Sequence, residues 1–270
     1  MSTHVSIGRC PLLYGFERHA VWYGGHCMVV ETVSGDPRVA FIHNLVTAEE
    51  AEELKASARA VGLRQSLVGG MKAKYDPIGR GVRDTDEIRQ EAARQGRTSS
   101  SCRVDRTLPV SAAVVLRVSH LINMSPYCSE AVQVVHYQEG QEYQTHNDWF
   151  NPKDPSYGER VLKRGQRLVS VFCYLCDVPE HCGGGTFFPE LGLRFLPRTG
   201  CAALWWNQTH DTKVMDERVA HCGEKPSQVR GRASAIKKAA MPYACRTTRD
   251  VHRLLTMIGC RRSLPLDDGC

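Results

Sequence analysis

Apolar and polar positions alternate with two different periods along this chain, and the period changes near residue 126. In the first half, "TAEEAEELKASARAVG" carries Ala51, Leu54, Ala58 and Val61 at helical spacing, and Thr47 with Glu50 three positions on forms a capping box. An amphipathic helix is expected there. "PVSAAVVLRVSHLIN" starts at Pro109, which suits the first position of a helix, and its apolar residues cover most of the circumference, so it should be buried. Between them Gly, charge and Ser dominate from 63 to 108, with a short helix around "DEIRQEAARQ" and a polar loop "GRTSSS". Ahead of the first helix, "PRVAFIHNL" at 37 to 45 is apolar and β-branched enough for a strand, whereas residues 1 to 35 show no clear period and are read as an N-terminal extension.

After Pro126, "AVQVVHYQ", "RLVSVFCYL", "TFFPELGLRFL", "CAALWW" and "ASAIKKAA" are short strand-like runs separated by Gly, Pro and polar residues. Helices first and strands afterwards predict an α+β domain in which a helical layer supports a β-sandwich. No internal repeat or low-complexity tract interrupts it.

Composition narrows the classes. A chain of 270 residues with 42% hydrophobic content can bury a core of its own. Its 35 basic and 29 acidic residues leave a net charge of +6 without a basic block, which suits an anionic small molecule or acidic partner and gives no nucleic-acid signature. No apolar run reaches the roughly 18 residues of a membrane span, and the N-terminus lacks the apolar core of a secretory signal, so a soluble, cytoplasmic protein with reduced thiols is expected from this chain. The twelve cysteines are scattered. "CYLC", Cys173 to Cys176, is no half zinc knuckle if it lies on a strand, because residues three apart face opposite sides.

Candidate chemistry centres on "YQTHNDWF". In an extended chain side chains two apart leave the same face, about 3.3 Å of rise per residue apart. His146 and Asp148 therefore point into one space. A mononuclear Fe(II) oxygenase needs two histidines and one carboxylate on one face of its metal, and "ERVAHCGEKP" offers His221, before a Gly-containing turn, as the third. A lone His-x-Asp is a weak signal by itself. Gly183 to Gly185 lack the helix and Lys-Ser/Thr pair of a phosphate loop and read as a tight turn leading into a strand that starts at Thr186. His136 and His210 read as structural histidines.

The surroundings of these residues resemble a known family. "VVHYQEGQEYQTHNDWF", "RLVSVFCYL", "GGGTFFPELGLRFLPRTGCAALWWN" and "HCGEKP" follow in the order of the prolyl 4-hydroxylase catalytic domain, and "PRVAFIHNLVTAEEAEEL" and "GRTSSS" resemble its N-terminal part. The likeness runs from about Pro37 to about Tyr243 and implies an Fe(II)- and 2-oxoglutarate-dependent dioxygenase on a double-stranded β-helix, occupying 36–245 between the extension and a C-terminal tail at 246–270. By this resemblance His146, Asp148 and His221 are the iron ligands.

The resemblance further implies a cation for the distal carboxylate of 2-oxoglutarate on the strand after the second histidine. Arg232 falls there and suits a carboxylate bidentately, ahead of Arg230, Lys237 and Lys225. The turn "HCGEKPSQVRGR" carries extra residues relative to the family's pattern, which leaves that position open. Tyr137, nine residues before His146, matches a tyrosine near the iron and co-substrate, and Tyr174 is placed to reach the distal carboxylate. Tyr143, Trp149 and Phe150 are expected to wall the pocket, Trp205 and Trp206 to pack beneath it, and Asn207 to serve packing or a turn. "GRTSSS" and the loop from Asn151 to Gln166 would border a groove for an extended, proline-containing peptide.

The implied reaction uses O₂, with ascorbate as reductant and no nucleic acid or membrane span. Two other readings stand beside it: a 2-oxoglutarate oxygenase acting on a free amino acid or another side chain, and a non-catalytic metal-binding β-sandwich. Relatives that modify collagen work in the endoplasmic reticulum, the alternative to the cytoplasm.

Overall fold

Two sheets, antiparallel apart from one parallel pair at the edge of the smaller, face each other in this protein, and helices cover the outer face of the larger one. The structure, a computed structural model, describes residues 5–7, 17–68, 74–75, 81–82, 85–210, 214–227, 236–240 and 243–245. In chain order these form β1 (Val5–Ile7), β2 (Arg18–Tyr23), β3 (His26–Gly35), β4 (Arg38–His43), α1 (Ala48–Val61), β5 (Arg64–Gln65), β6 (Lys74–Tyr75), β7 (Gly81–Val82), α2 (Asp86–Arg94) and β8 (Ser100–Arg103). They continue with α3 (Pro109–Ile122), β9 (Gln133–Tyr137), β10 (Tyr143–His146), α4 (Tyr157–Arg164), β11 (Gln166–Tyr174), β12 (Thr186–Phe188), β13 (Leu193–Phe195), β14 (Ala202–Trp206), β15 (His221–Gly223), β16 (Ile236–Ala240) and β17 (Tyr243–Cys245).

The large sheet runs β2-β3-β4-β14-β11-β16-β9-β8-β5, with β17 also on β11, and the small sheet runs β1-β13-β12-β15-β10. Strand alternation assigns the faces. Val169, Val171 and Cys173 of β11 join Leu54, Ala58, Val114 and Val118 of the helices in one core. Tyr174 of β11, Phe41 of β4 and Trp205 of β14 join Phe188 and Phe195 of the small sheet in a second, between the sheets. Each such fully buried aliphatic or aromatic side chain contributes roughly 1.5–3 kcal/mol, so the two layers hold because both faces of the large sheet are covered.

The first predicted helix forms as its capping box requires. Glu50 N–H donates to Thr47 Oγ1 at 3.2 Å, and Thr47 N–H donates to the Glu50 carboxylate at 2.8 Å. The same carboxylate receives two bonds from Arg117 of α3, at 2.6 and 2.7 Å, which ties the helices together. α3 starts at Pro109 and ends at Asn123 in the left-handed conformation, φ 52°.

Several expectations change. Residues 18 to 35, read as part of an extension, form β2 and β3 at one end of the large sheet. "GRTSSS", read as a polar loop, runs into β8, because pairing with β5 and β9 satisfies its backbone while Ser99 and Ser101 both bond Ser66. The predicted run "TFFPELGLRFL" is two strands, broken by a 3₁₀ turn at Pro189–Leu191 and Gly192 at φ 62°. The loop between Asn151 and Gln166 contains α4. Trp206 does not lie beneath the pocket: alternation turns it to the helix side, where Arg38 stacks on its ring at 4.0 Å. Cys173 sits in the helix-side core and Cys176 against a separate cluster around Val135 and Tyr137, and both are free thiols, as are Cys27, Cys102, Cys128, Cys182, Cys201 and Cys222. Among the described residues no helix is long and apolar enough to cross a membrane. Arg230, Arg232 and the tail from 246 onward lie outside the described residues.

Candidate metal centre

Two neighbouring strands of the small sheet make the site. β10 and β15 run antiparallel with His146 paired to His221, and the register shifts between Tyr143 and His146. Asp148 follows two residues after His146, so the three side chains that the sequence singled out converge, with one ligand atom from each all within 4.8 Å of one another. Asp148 Oδ1 lies 3.7 Å from His146 Nε2, and Oδ2 lies 3.9 Å from His221 Nε2.

Backbone contacts set the tautomers. His146 Nδ1 is 2.7 Å from the Gln144 carbonyl, and His221 Nδ1 is 3.1 Å from the Val219 carbonyl. A carbonyl only accepts, so each Nδ1 carries the proton and, in the neutral ring, each Nε2 presents a lone pair. Both lone pairs aim at the Asp148 carboxylate. His146 Nε2 is buried and has no hydrogen-bond partner, an arrangement that costs about 1–3 kcal/mol unless something occupies the space between the three groups. A divalent cation fits that demand, and ring nitrogens oriented by backbone carbonyls are the usual support of a metal-ligating histidine. Two imidazoles and one carboxylate form the donor set of a non-haem Fe(II) facial triad. Burial works against the charge on Asp148, but with His221 and His146 protonated on both ring nitrogens their charges, together with Arg167, outweigh it and hold the carboxyl well below the usual carboxylate range.

Aromatic rings fix the ligands. Tyr143 stacks on His146 at 3.5 Å and 20°, and the Arg97 guanidinium lies 4.4 Å from the centre of the tyrosine ring. Trp205 meets His221 edge-on at 4.5 Å, and Phe188 lies 5.3 Å from it. Trp205 is itself held, since its Nε1 donates to Asn207 Oδ1 at 3.1 Å and Asn207 Nδ2 donates to Ser170 Oγ at 3.0 Å. The packing role expected of Asn207 is therefore a clamp on the ring beside His221. The guanidinium groups of Arg167 and Arg160 lie 4.9 Å and 5.7 Å from the Phe150 ring.

Arg167 is a contributor that sequence reasoning missed. It donates to both oxygens of Glu130, at 2.6 and 3.0 Å, and to the Asp148 carbonyl at 3.2 Å, so it braces the backbone of the acidic ligand. Burial opposes its charge, yet Glu130 holds its pKa above the ordinary arginine value. Nothing in the local pattern pairs two residues 37 apart.

Tyr137 lies on β9, 5% exposed, with its hydroxyl against β15: a Cβ placed on Gly223 would stand 3.0 Å from Tyr137 Oη. Burial pushes its pKa up and keeps it a neutral phenol. Tyr174 is fully buried between the sheets, and its hydroxyl donates to Thr186 Oγ1 at 2.8 Å, 3.2 Å from the Phe195 carbonyl. Of the cations weighed beside Arg232, Lys225 pairs with Glu142 at 3.3 Å, and Lys237 lies on β16. The glycine turn is structural, as expected: at Gly183, φ 67°, a Cβ would meet the Lys225 carbonyl at 2.5 Å, so only glycine lets β12 close on the chain that follows His221.

Comparison with known proteins agrees with this geometry. The family model of the 2OG-Fe(II) oxygenase superfamily matches residues 132–237, which contain all three converging side chains. Probable prolyl 4-hydroxylase 8 of Arabidopsis thaliana is 29% identical over 228 residues, covering 77% of this chain and 67% of the relative. Prolyl 4-hydroxylase 1 of the same plant is 31% identical over 209 residues, covering 72% and 65%. The chain thus spans about two thirds of the length of these relatives. Among solved structures, the viral collagen prolyl hydroxylase of Paramecium Bursaria Chlorella virus-1, as its 2OG complex, shares the fold with TM-score 0.52 at 19% identity, over 76% of this chain and 96% of that one. Residues 132–237 thus match the 2OG-Fe(II) oxygenase superfamily, and the chain is similar to prolyl 4-hydroxylases over about two thirds of their length.

Proposed function

We propose that this protein is an Fe(II)- and 2-oxoglutarate-dependent dioxygenase that hydroxylates proline in a peptide or protein. The observation that carries the reading is the convergence of His146 Nε2, His221 Nε2 and the Asp148 carboxylate on one point, each imidazole presenting its lone pair. Similarity to prolyl 4-hydroxylases supports the substrate class. In this reading the two facing sheets are a double-stranded β-helix, and residues 36–245 with β2 and β3 form the catalytic unit.

Iron bound by His146, Asp148 and His221 would supply O₂ activation coupled to oxidative decarboxylation of 2-oxoglutarate to succinate and CO₂. The rest falls to the protein. The aromatic box around His221 excludes water, and Arg167 and Asn207 keep the ligands in place. Tyr137 and Tyr174 would offer hydroxyls to the carboxylates of 2-oxoglutarate, and Arg232 would neutralise the distal one, since a buried carboxylate needs a cationic partner. Ascorbate would serve as reductant.

A groove for the peptide is bordered by the "GRTSSS" segment. Thr98 N–H donates to the Glu142 carbonyl at 3.0 Å and Gln144 N–H to the Gly96 carbonyl at 2.8 Å, which lays Arg97 along the strand that carries His146. Anaerobic titration with Fe(II) and 2-oxoglutarate tests the site: a visible charge-transfer band should form with the wild type and be missing from His146→Ala. Turnover of proline-containing peptides, against the same peptides with alanine, then tests the substrate. A folded, reduced protein that forms no band would overturn the reading.

A further inference from the structure

Three serine hydroxyls make a buried chain beside the metal centre. Ser66 comes from the segment after β5, and Ser99 and Ser101 flank Ser100 on the strand run of β8; they are 0%, 0% and 1% exposed. Ser99 Oγ donates to Ser66 Oγ at 3.1 Å, Ser66 Oγ donates to Ser101 Oγ at 2.9 Å, and Gln133 Nε2 donates to Ser101 Oγ at 2.9 Å. The register that pairs Ser100 with His136 puts Ser99 beside Tyr137 on the next rung, on the same face of the sheet, where its hydroxyl works against the rise that burial gives the Tyr137 pKa. Arg97 Nε, 3.4 Å away, donates to Ser99 as well. The chain therefore runs from Gln133 to the hydroxyl that lies against Gly223, two residues from His221.

Every internal link is a hydroxyl, which can donate and accept. The groups at its margins, Gln133 Nε2 and Arg97 Nε, are pure donors and serve either direction. With Ser99 donating to Ser66, the Ser99 proton is turned away from Tyr137. A carboxylate at the site requires the opposite: Tyr137 must donate to it, Ser99 to Tyr137, Ser66 to Ser99 and Ser101 to Ser66. Hydroxyl rotation alone accomplishes that reversal, with no heavy atom displaced, and each link polarises the next.

We propose that Ser66 is a positioning residue for co-substrate binding: it holds Ser99 and, through the reversible hydroxyl chain, readies Tyr137 to donate to a carboxylate bound at the metal. This rests on the reading that 2-oxoglutarate binds beside Tyr137. Without the Ser66 hydroxyl, Ser99 keeps only the long bond from Arg97 as its donor, and Tyr137 becomes a weaker and less fixed donor.

The experiment measures 2-oxoglutarate affinity of the Fe(II)-loaded full chain without oxygen, through the charge-transfer band, and Fe(II) affinity separately by equilibrium dialysis. Ser66→Ala should weaken 2-oxoglutarate about fivefold, the equivalent of one net hydrogen bond, with Fe(II) affinity unchanged. Ser66→Thr, which keeps the hydroxyl, should restore it, and Ser101→Ala should act in the same direction but less. In a Tyr137→Phe background Ser66→Ala should add nothing, because the route through Tyr137 is already cut. Unchanged affinity in Ser66→Ala, or full additivity with Tyr137→Phe, would overturn the assignment. A wild type that binds Fe(II) but not 2-oxoglutarate would instead sink the functional reading beneath it.

Discussion

His146 and His221 stand opposite each other on adjacent antiparallel strands, ring centroids 4.5 Å apart, and each is oriented by the carbonyl two residues before it. Both rings are thus set by their own local backbone, while their meeting depends on strand register. Asp148 closes the set and supplies its only charge. Asp148→Asn keeps the size but removes that charge, and Fe(II) affinity measured by dialysis should fall by more than the roughly 10–100-fold that losing an outer support costs. Retained affinity would show that the carboxylate is not a ligand.

Asn207 is fully buried and bonds both Trp205 and Ser170. Asn207→Ala leaves the indole N–H and the serine hydroxyl without this partner, at about 1–3 kcal/mol for each buried group left unsatisfied. Urea unfolding should show that loss, and the near-ultraviolet circular dichroism of the tryptophans should change, since Trp205 is no longer held against His221. A mutant with wild-type midpoint and spectrum would mean that the clamp is dispensable.

Gly223 is the close approach between β15 and Tyr137. Gly223→Ala puts a methyl 3.0 Å from Tyr137 Oη, and overpacking of this kind costs about 1–3 kcal/mol. Tyr137→Phe removes the oxygen in question, so the double mutant should recover part of the stability lost by Gly223→Ala alone. Equal losses in both backgrounds would place the strain elsewhere.

The Glu50–Arg117 pair predicts a pH dependence. Burial raises the Glu50 pKa, but the Arg117 hydrogen bond and charge, with the Thr47 N–H, lower it further, so the folded value is depressed. Its stabilisation is therefore complete above the unfolded glutamate pKa of about 4.3 and fades as pH falls through the lower folded value. Glu50→Gln retains the capping-box geometry and loses only the charge. Its melting temperature should lie below wild type at neutral pH and converge with it under acid conditions. A constant gap across pH would assign the effect to packing.

How much was legible in the sequence differs by element. Thr47, Glu50 and Pro109 announced their helices because caps and initial prolines act within one turn of chain. "GRTSSS" misled because composition made it a loop, whereas its end enters β8 and Ser99 and Ser101 are buried there, bonded to Ser66 more than 30 residues away. Trp206 was assigned to the pocket with Trp205, although adjacent residues on one strand must face opposite cores. Arg167 and Glu130 carried no signal, since a salt bridge across 37 residues leaves no local period.

By itself the sequence determined the element types with strong period and the identity of the converging residues. Its reason is local: Asp148 follows His146 by only two residues, although in the bend just past the end of β10 and not on the strand as alternation had it, and the pieces around them follow a known family's order. Tertiary structure decided the rest. The β10–β15 register brought His221 to them, backbone carbonyls turned both Nε2 lone pairs inward, and the layering of two sheets brought Ser66, Ser99 and Tyr137 into one hydrogen-bonded chain. These relationships join residues far apart in the chain, and only long-range pairing of strands, which no local pattern encodes, fixes which of them touch.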